Sequence, residues 1–75
     1  MKFTRSSLTI AVNGRTITVQ GEAYLPGHGS PDFVVYSETI TRWDDGAPVS
    51  QDERNEVLAQ IAREAQSRGL RIELE

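Results

Sequence analysis

Ser50-Gln51-Asp52-Glu53-Arg54-Asn55-Glu56-Val57-Leu58-Ala59-Gln60-Ile61-Ala62-Arg63-Glu64-Ala65-Gln66-Ser67-Arg68-Gly69 decides the fold, because no other stretch of the chain reads as a helix. Ser50 is placed to act as N-cap, with its hydroxyl accepting from the Glu53 amide while the Glu53 carboxylate reaches back to the Ser50 amide, a capping box. Asp52, Glu53 and Glu56 stand at the positive end of the helix dipole, Arg63 and Arg68 at the negative end. Gly69 supplies the left-handed residue that ends the helix. Val57, Leu58, Ile61, Ala62 and Ala65 fall on one stripe, and Glu56, Gln60, Arg63, Glu64 and Gln66 face away. One face of this helix is meant for burial, so the rest of the chain must supply a surface to cover it.

That surface begins upstream with a hairpin. Leu8, Ile10 and Val12 alternate with Thr9 and Ala11; Asn13-Gly14 tolerates positive φ at two successive residues; and Ile17 and Val19 resume the alternation, the signature of a two-residue type I′ turn. Pairing Val12 with Arg15 sets Ile10 opposite Ile17, Leu8 opposite Val19 and Thr9 opposite Thr18. Extended outward to Lys2 and Leu25, the same register predicts an Arg5–Glu22 ion pair and a Phe3–Tyr24 aromatic pair on the face away from the core. Gly21 is expected to be a bulge or a point of close approach.

Pro26-Gly27-His28-Gly29-Ser30-Pro31 then reads as a loop. Its glycines do not make a phosphate cradle, which needs a third glycine opening a helix. His28, the one histidine, has no cysteine or second histidine with which to share a metal. A third strand is predicted from Phe33 to about Ile40 or Arg42, with Phe33 and Val35 on one face and Val34, Tyr36 and Ile40 on the other. Such two-sided apolarity fits a strand covered on both faces or one that meets a partner. Trp43 follows, either as a lid on the core or as an interaction anchor. Asp44-Asp45-Gly46 makes a turn and Ala47-Pro48-Val49 leads to the helix cap. After Gly69, Leu70-Arg71-Ile72-Glu73-Leu74-Glu75 alternates as a final strand.

The expected fold is a single α+β domain over residues 1–75, in two layers. A four-stranded, mainly antiparallel sheet carries one helix on one face, in the order β-β-β-α-β. Leu8, Ile10, Ile17, Val19, Val34 or Val35, Tyr36, Ile72 and Leu74 should meet the helix stripe. The other face, with Phe3, Arg5, Thr9, Thr16, Thr18, Gln20 and Tyr24, has no second helix to cover it. It is either wet or an interface.

Composition narrows the function classes. A chain of 75 residues buries only about 60–65% of its unfolded surface. It contains no cysteine, so neither a disulfide framework nor a thiolate nucleophile is available, and a reducing compartment, the cytoplasm, is the expected home. The start of the chain lacks the apolar run of a signal peptide or a membrane anchor. No paired carboxylates, nucleophile–base set or metal-ligand spacing suggests catalysis, and no cofactor is expected. The formal charge of −3 is unevenly spread, with residues 1–31 at +2, 32–56 at −5 and 57–75 at zero. An acidic middle repels nucleic acid and attracts a basic protein surface, or else serves as a solvated edge.

Phe33-Val34-Val35-Tyr36-Ser37-Glu38-Thr39-Ile40-Thr41-Arg42-Trp43, followed by a proline and an acid-capped helix, resembles the immunity protein 74 family of bacterial polymorphic toxin systems. The resemblance also takes in Ser7-Leu8-Thr9-Ile10, the Asn13-Gly14 turn, Ser50-Gln51-Asp52-Glu53 and Ile72-Glu73-Leu74-Glu75. It implies a small cytoplasmic antidote that binds and neutralises a cognate toxin domain. The resemblance names no contact residues; from the acidic band, Trp43, Asp44, Asp45, Asp52, Glu53 and Glu56 are expected to form the partner-facing edge, with the open sheet face around Phe3, Arg5, Gln20 and Tyr24 as the competing interface. Two other readings use that open face, for single-stranded nucleic acid or for a homodimer.

Overall fold

The computed structural model describes residues 1–24 and 31–75. Among the described residues are five strands, one short 3₁₀ turn and one α-helix: β1 (Lys2–Phe3), β2 (Ser7–Val12), β3 (Arg15–Ala23), β4 (Phe33–Val35), the 3₁₀ turn Ser37–Thr39, α1 (Gln51–Ser67) and β5 (Ile72–Leu74). The strands form one sheet in the order β1-β2-β3-β4-β5, antiparallel except for the β4–β5 pair, which is parallel. The α+β architecture with a single helix is as expected; the sheet has five strands rather than four. Leu25, which was to end the second strand, and the loop carrying Gly27, His28 and Gly29 lie outside the described residues.

Local chemistry accounts for the two best-formed elements. Asn13 and Gly14 have φ of 52° and 78°, so the hairpin turn is type I′ and the register is the computed one, with Val12 opposite Arg15 and Ile10 opposite Ile17. The Ser50 hydroxyl accepts from the Glu53 amide at 3.1 Å and the Glu53 carboxylate accepts from the Ser50 amide at 2.9 Å. At the other end the Leu70 amide donates to Ala65 O at 2.9 Å and the Gly69 amide to Gln66 O at 3.2 Å, with Gly69 at φ 68°. That pair of bonds is a Schellman closure. Val57, Ile61 and Ala65 are the helix residues it buries.

The first correction concerns the beginning of the chain. The regular ladder of the hairpin ends at Ser7 opposite Gln20, with only two bulged bonds to Ser6 and Arg5 beyond it, and the chain reverses through Thr4-Arg5-Ser6, so that Phe3 pairs with Leu8 and not with Tyr24. The Thr4 hydroxyl accepts from the Ser6 amide and bonds the Ser7 hydroxyl, a local side-chain bond that competes with extended pairing. Phe3 therefore turns to the core side and meets Phe33 edge to face, ring centroids 5.2 Å apart.

The second correction concerns the third strand, which ends at Val35. The Thr39 hydroxyl donates to Tyr36 O, closing the 3₁₀ turn, and also accepts from the Gln20 amide. The turn shifts the parity of the chain, sending Ile40 into the core while Tyr36 stays outside. Leu74 also stays half exposed at the sheet edge, whereas Phe33, Ile40 and Trp43 join the core.

At Gly21 the expected close approach is present. Its amide donates to Ser6 O and the Ala23 amide to Arg5 O, so two steps along β3 match one step along its neighbour, a bulge. A Cβ at Gly21 would overlap the Val34 carbonyl oxygen and the Phe33 ring. The sheet can therefore bend there, and β3 hands its pairing from β2, beside Arg15–Gln20, to β4, beside Gly21–Ala23.

Candidate functional site: the end of the core and the open sheet face

Two surfaces follow from this topology. The first is the end of the molecule where the hairpin turn, the Trp43 turn and the N-terminus of α1 converge. Trp43 is only 5% exposed and belongs to the core, so it acts as the lid and not as a protruding anchor. The Arg15 guanidinium lies over its ring, 4.2 Å from the centroid. Arg15 also donates to Glu53 Oε2 at 3.1 Å and approaches Asp45 Oδ2 at 3.6 Å.

The acids named from the sequence do gather here, but most are already engaged. Asp45 accepts from the Ala47 amide, Asp44 accepts weakly from the Thr18 hydroxyl at 3.4 Å, and Glu56 accepts from Asn13 at 2.9 Å. Glu53 is held ionised, its carboxyl lowered from the ordinary carboxylate value first by the bond from the Ser50 amide, then by the Ser50 hydroxyl, the Trp43 indole and Arg15, against a partial desolvation. The indole N–H itself is buried and falls outside hydrogen-bond geometry. Asp52 is exposed in the first helical turn. Arg15, which no local pattern singles out, ties Asp45 and Glu53 to the Trp43 ring and braces this corner.

The second surface is the sheet face away from α1. Of the residues expected there, Gln20 and Tyr24 are exposed on it, Arg5 is exposed in the reversal between β1 and β2, and Phe3 has left it for the core side. What the sequence did not bring together is a cluster on its β3–β4–β5 side. The Tyr36 hydroxyl donates to Glu22 at 3.1 Å. Val34 pairs with Glu22 on one side and with Glu73 on the other, and is buried beneath them at 3% exposure. Both tyrosine hydroxyls are shifted above their ordinary value of 10.0, that of Tyr24 chiefly by the charge of Glu22, that of Tyr36 chiefly by its hydrogen bond to Glu22; Glu75 adds to both and Glu73 to Tyr24. The face is thus two phenol rings set among three carboxylates, with Lys2 at its far β1 edge.

The grooves on the molecule are open. Among the described residues no group of three or more His, Cys, Asp or Glu is placed to hold a metal ion, and no helix is long and apolar enough to cross a membrane.

The family model for Immunity protein 74 matches residues 1–75, the whole chain. The chain belongs to that family. No curated protein and no solved structure matches it. For an Immunity protein 74 member, the two surfaces above differ in kind: at the Trp43 corner Asp45 and Glu53 are paired with Arg15, whereas the tyrosine face has no cation paired with its exposed carboxylates among the described residues. The family name points to a toxin as the thing resisted.

Proposed function

We propose that this chain is an immunity protein of a bacterial polymorphic toxin system, binding a cognate toxin domain in the cytoplasm and blocking it by docking, without turning over a substrate. The observation that carries the reading, beside family membership, is the open sheet face bearing Tyr24 and Tyr36 among Glu22, Glu73 and Glu75. Tyrosine is enriched in interface cores because it offers a large, stiff apolar surface with a polar tip. Carboxylates around such rings favour a basic partner and speed its encounter. The same carboxylates repel a phosphate backbone, which counts against single-stranded nucleic acid as the ligand of this face. The absence of cysteine from the sequence fits a reducing compartment.

The test is co-expression with candidate toxin domains taken from neighbouring reading frames, followed by binding kinetics on any pair that protects the host. Changing Glu22, Glu73 and Glu75 to Gln together should slow association several-fold and flatten its salt dependence, and Tyr24→Ala should speed dissociation. Unchanged rates in both variants, with protection intact, would move the interface elsewhere, first to Asp44, Asp52 and Glu56 at the Trp43 corner.

A further inference from the structure

We infer that β5 is a self-pairing edge, and that a second copy of this chain adds its own β5 antiparallel to it, joining two sheets into one. The two edges of the sheet are unlike. β1 is two residues long and ends in a turn, the short, blunted edge by which sheets avoid unwanted pairing. β5 is three residues long and carries Glu73 but neither proline nor lysine, and among the described residues no strand pairs with its outer edge, so it stays open to a partner of matching charge. Its inner bonds to β4 are made by Arg71 and Glu75: the Asp32 and Phe33 amides donate to Arg71 O, and the Glu75 amide donates to Val35 O. By the alternation of a parallel ladder, the backbone groups of Ile72 and Leu74 point outward, away from the sheet.

Register selects the partner. Pairing about Ile72 sets Ile72 opposite Ile72 of the second copy, Leu70 opposite its Leu74, and Arg71 opposite its Glu73, with each relation repeated by the two-fold axis. Within residues 70–74 each apolar residue then meets an apolar one and each charge meets its opposite, while Glu75 falls opposite Gly69. Pairing one step further along, about Glu73, would place Glu73 against its own copy. The Leu70 amide is already spent on Ala65 O, so the favoured register forms four backbone bonds: two between the Ile72 residues, and one from each Leu74 amide to Leu70 O.

The inner face supplies the apolar contact that so short a ladder needs. A groove of about 370 Å³ runs between β5 and the C-terminal half of α1, lined by Ile61, Ala62, Ala65, Leu70, Ile72 and Leu74. Leu74 is 46% exposed at its rim. An antiparallel two-fold keeps both helices on the same side of the joined sheet, so the two grooves face each other across the seam. β5 flanks the Gly21–Ala23 end of β3 through β4, while the Trp43 corner sits by the other end of β3, beside Thr16 and Thr18. Dimer formation therefore leaves that corner open, while Glu73 of the tyrosine face is engaged across the seam.

Sedimentation velocity on the full chain from micromolar to millimolar concentration tests this. The mass should rise from 8.3 kDa towards twice that value. Arg71→Glu alone and Glu73→Arg alone each set like charges opposite one another, and each should weaken the dimer about tenfold or more. An equimolar mixture of the two variants should recover the dimer, because opposite charges then face each other across the seam. Circular dichroism establishes that both variants are folded. A mass that stays at 8.3 kDa at every concentration, a dimer indifferent to either change, or a mixture that fails to re-form it overturns the proposal.

Discussion

Gly21→Ala is the sharpest test of how the sheet is built. A methyl group there would overlap the Val34 carbonyl oxygen and two ring carbons of Phe33, one of them Cζ at 2.8 Å, where ordinary contact begins near 3.4 Å. Neither neighbour can yield cheaply. Phe33 is 2% exposed and wedged edge to face against Phe3, and the Val34 oxygen belongs to a backbone fixed between β3 and β5. Relief requires β4 to move away from β3, which combines overpacking of about 1–3 kcal/mol with the weakening of one or two ladder bonds at about 1 kcal/mol each. The sum is about 3 kcal/mol, against a total stability of about 4–11 kcal/mol for a domain of this length. Thermal unfolding followed by far-ultraviolet circular dichroism should show the midpoint falling by about 12–24 °C. Gly14→Ala is the control: it has φ of 78° and nothing within 4 Å, so it bears only the conformational cost, about 1 kcal/mol. If Gly21→Ala melts no lower than Gly14→Ala, the close packing of β3 on β4 is wrong.

The remaining expectations concern charges and caps. Ser50→Ala removes one half of the capping box and should cost about 1 kcal/mol in urea unfolding. Because Glu53 has its folded pKa lowered below 4.5, its share of stability is present above that value and disappears as acid titrates the folded carboxylate; Glu53→Gln should flatten the fall in stability below about pH 4.5 while leaving other carboxylate contributions in place. The two tyrosines shift the other way, so their share is present below pH 10.0 and is lost as alkali ionises them in the folded state; ultraviolet titration of Glu22→Gln should bring both midpoints back towards 10.0. Arg15→Ala uncovers the Trp43 ring and unpairs Glu53 and Asp45, and since Arg15 is 37% exposed the loss should be modest, about 1 kcal/mol, accompanied by a red shift of tryptophan emission.

The elements whose signals are local could be read from the chain. Asn13-Gly14 fixes a turn whose two-residue length leaves one register, and Ser50 with Glu53 and Gly69 bracket α1, so the turn, the hairpin register from Ser7 to Gln20 and the helix came out where expected. The errors arise where a short side chain outcompetes a strand. Thr4 turns the chain back by bonding Ser6 and Ser7, and Thr39 closes the 3₁₀ turn that changes the parity after Tyr36; both are hydroxyl bonds two or three residues long that alternation of apolar residues does not register. The tyrosine face was hidden for another reason. Glu22, Tyr36 and Glu73 are brought together by β4 pairing with β3 on one side and with β5 on the other, and that arrangement is set by the tertiary fold.

The one parallel pair also orders the assembly of the molecule in time. Strands β1 to β4 each pair with the strand next to them in the chain, so their contacts close short loops, whereas β5 reaches β4 only after the whole of α1 has been laid down between them. Closing that long loop costs chain entropy before any bond repays it, so the meander is expected to form first and the crossover to join late. Trimming Ile17 to Val should therefore slow refolding, while trimming Ile72 to Val should leave refolding nearly unchanged and hasten unfolding instead.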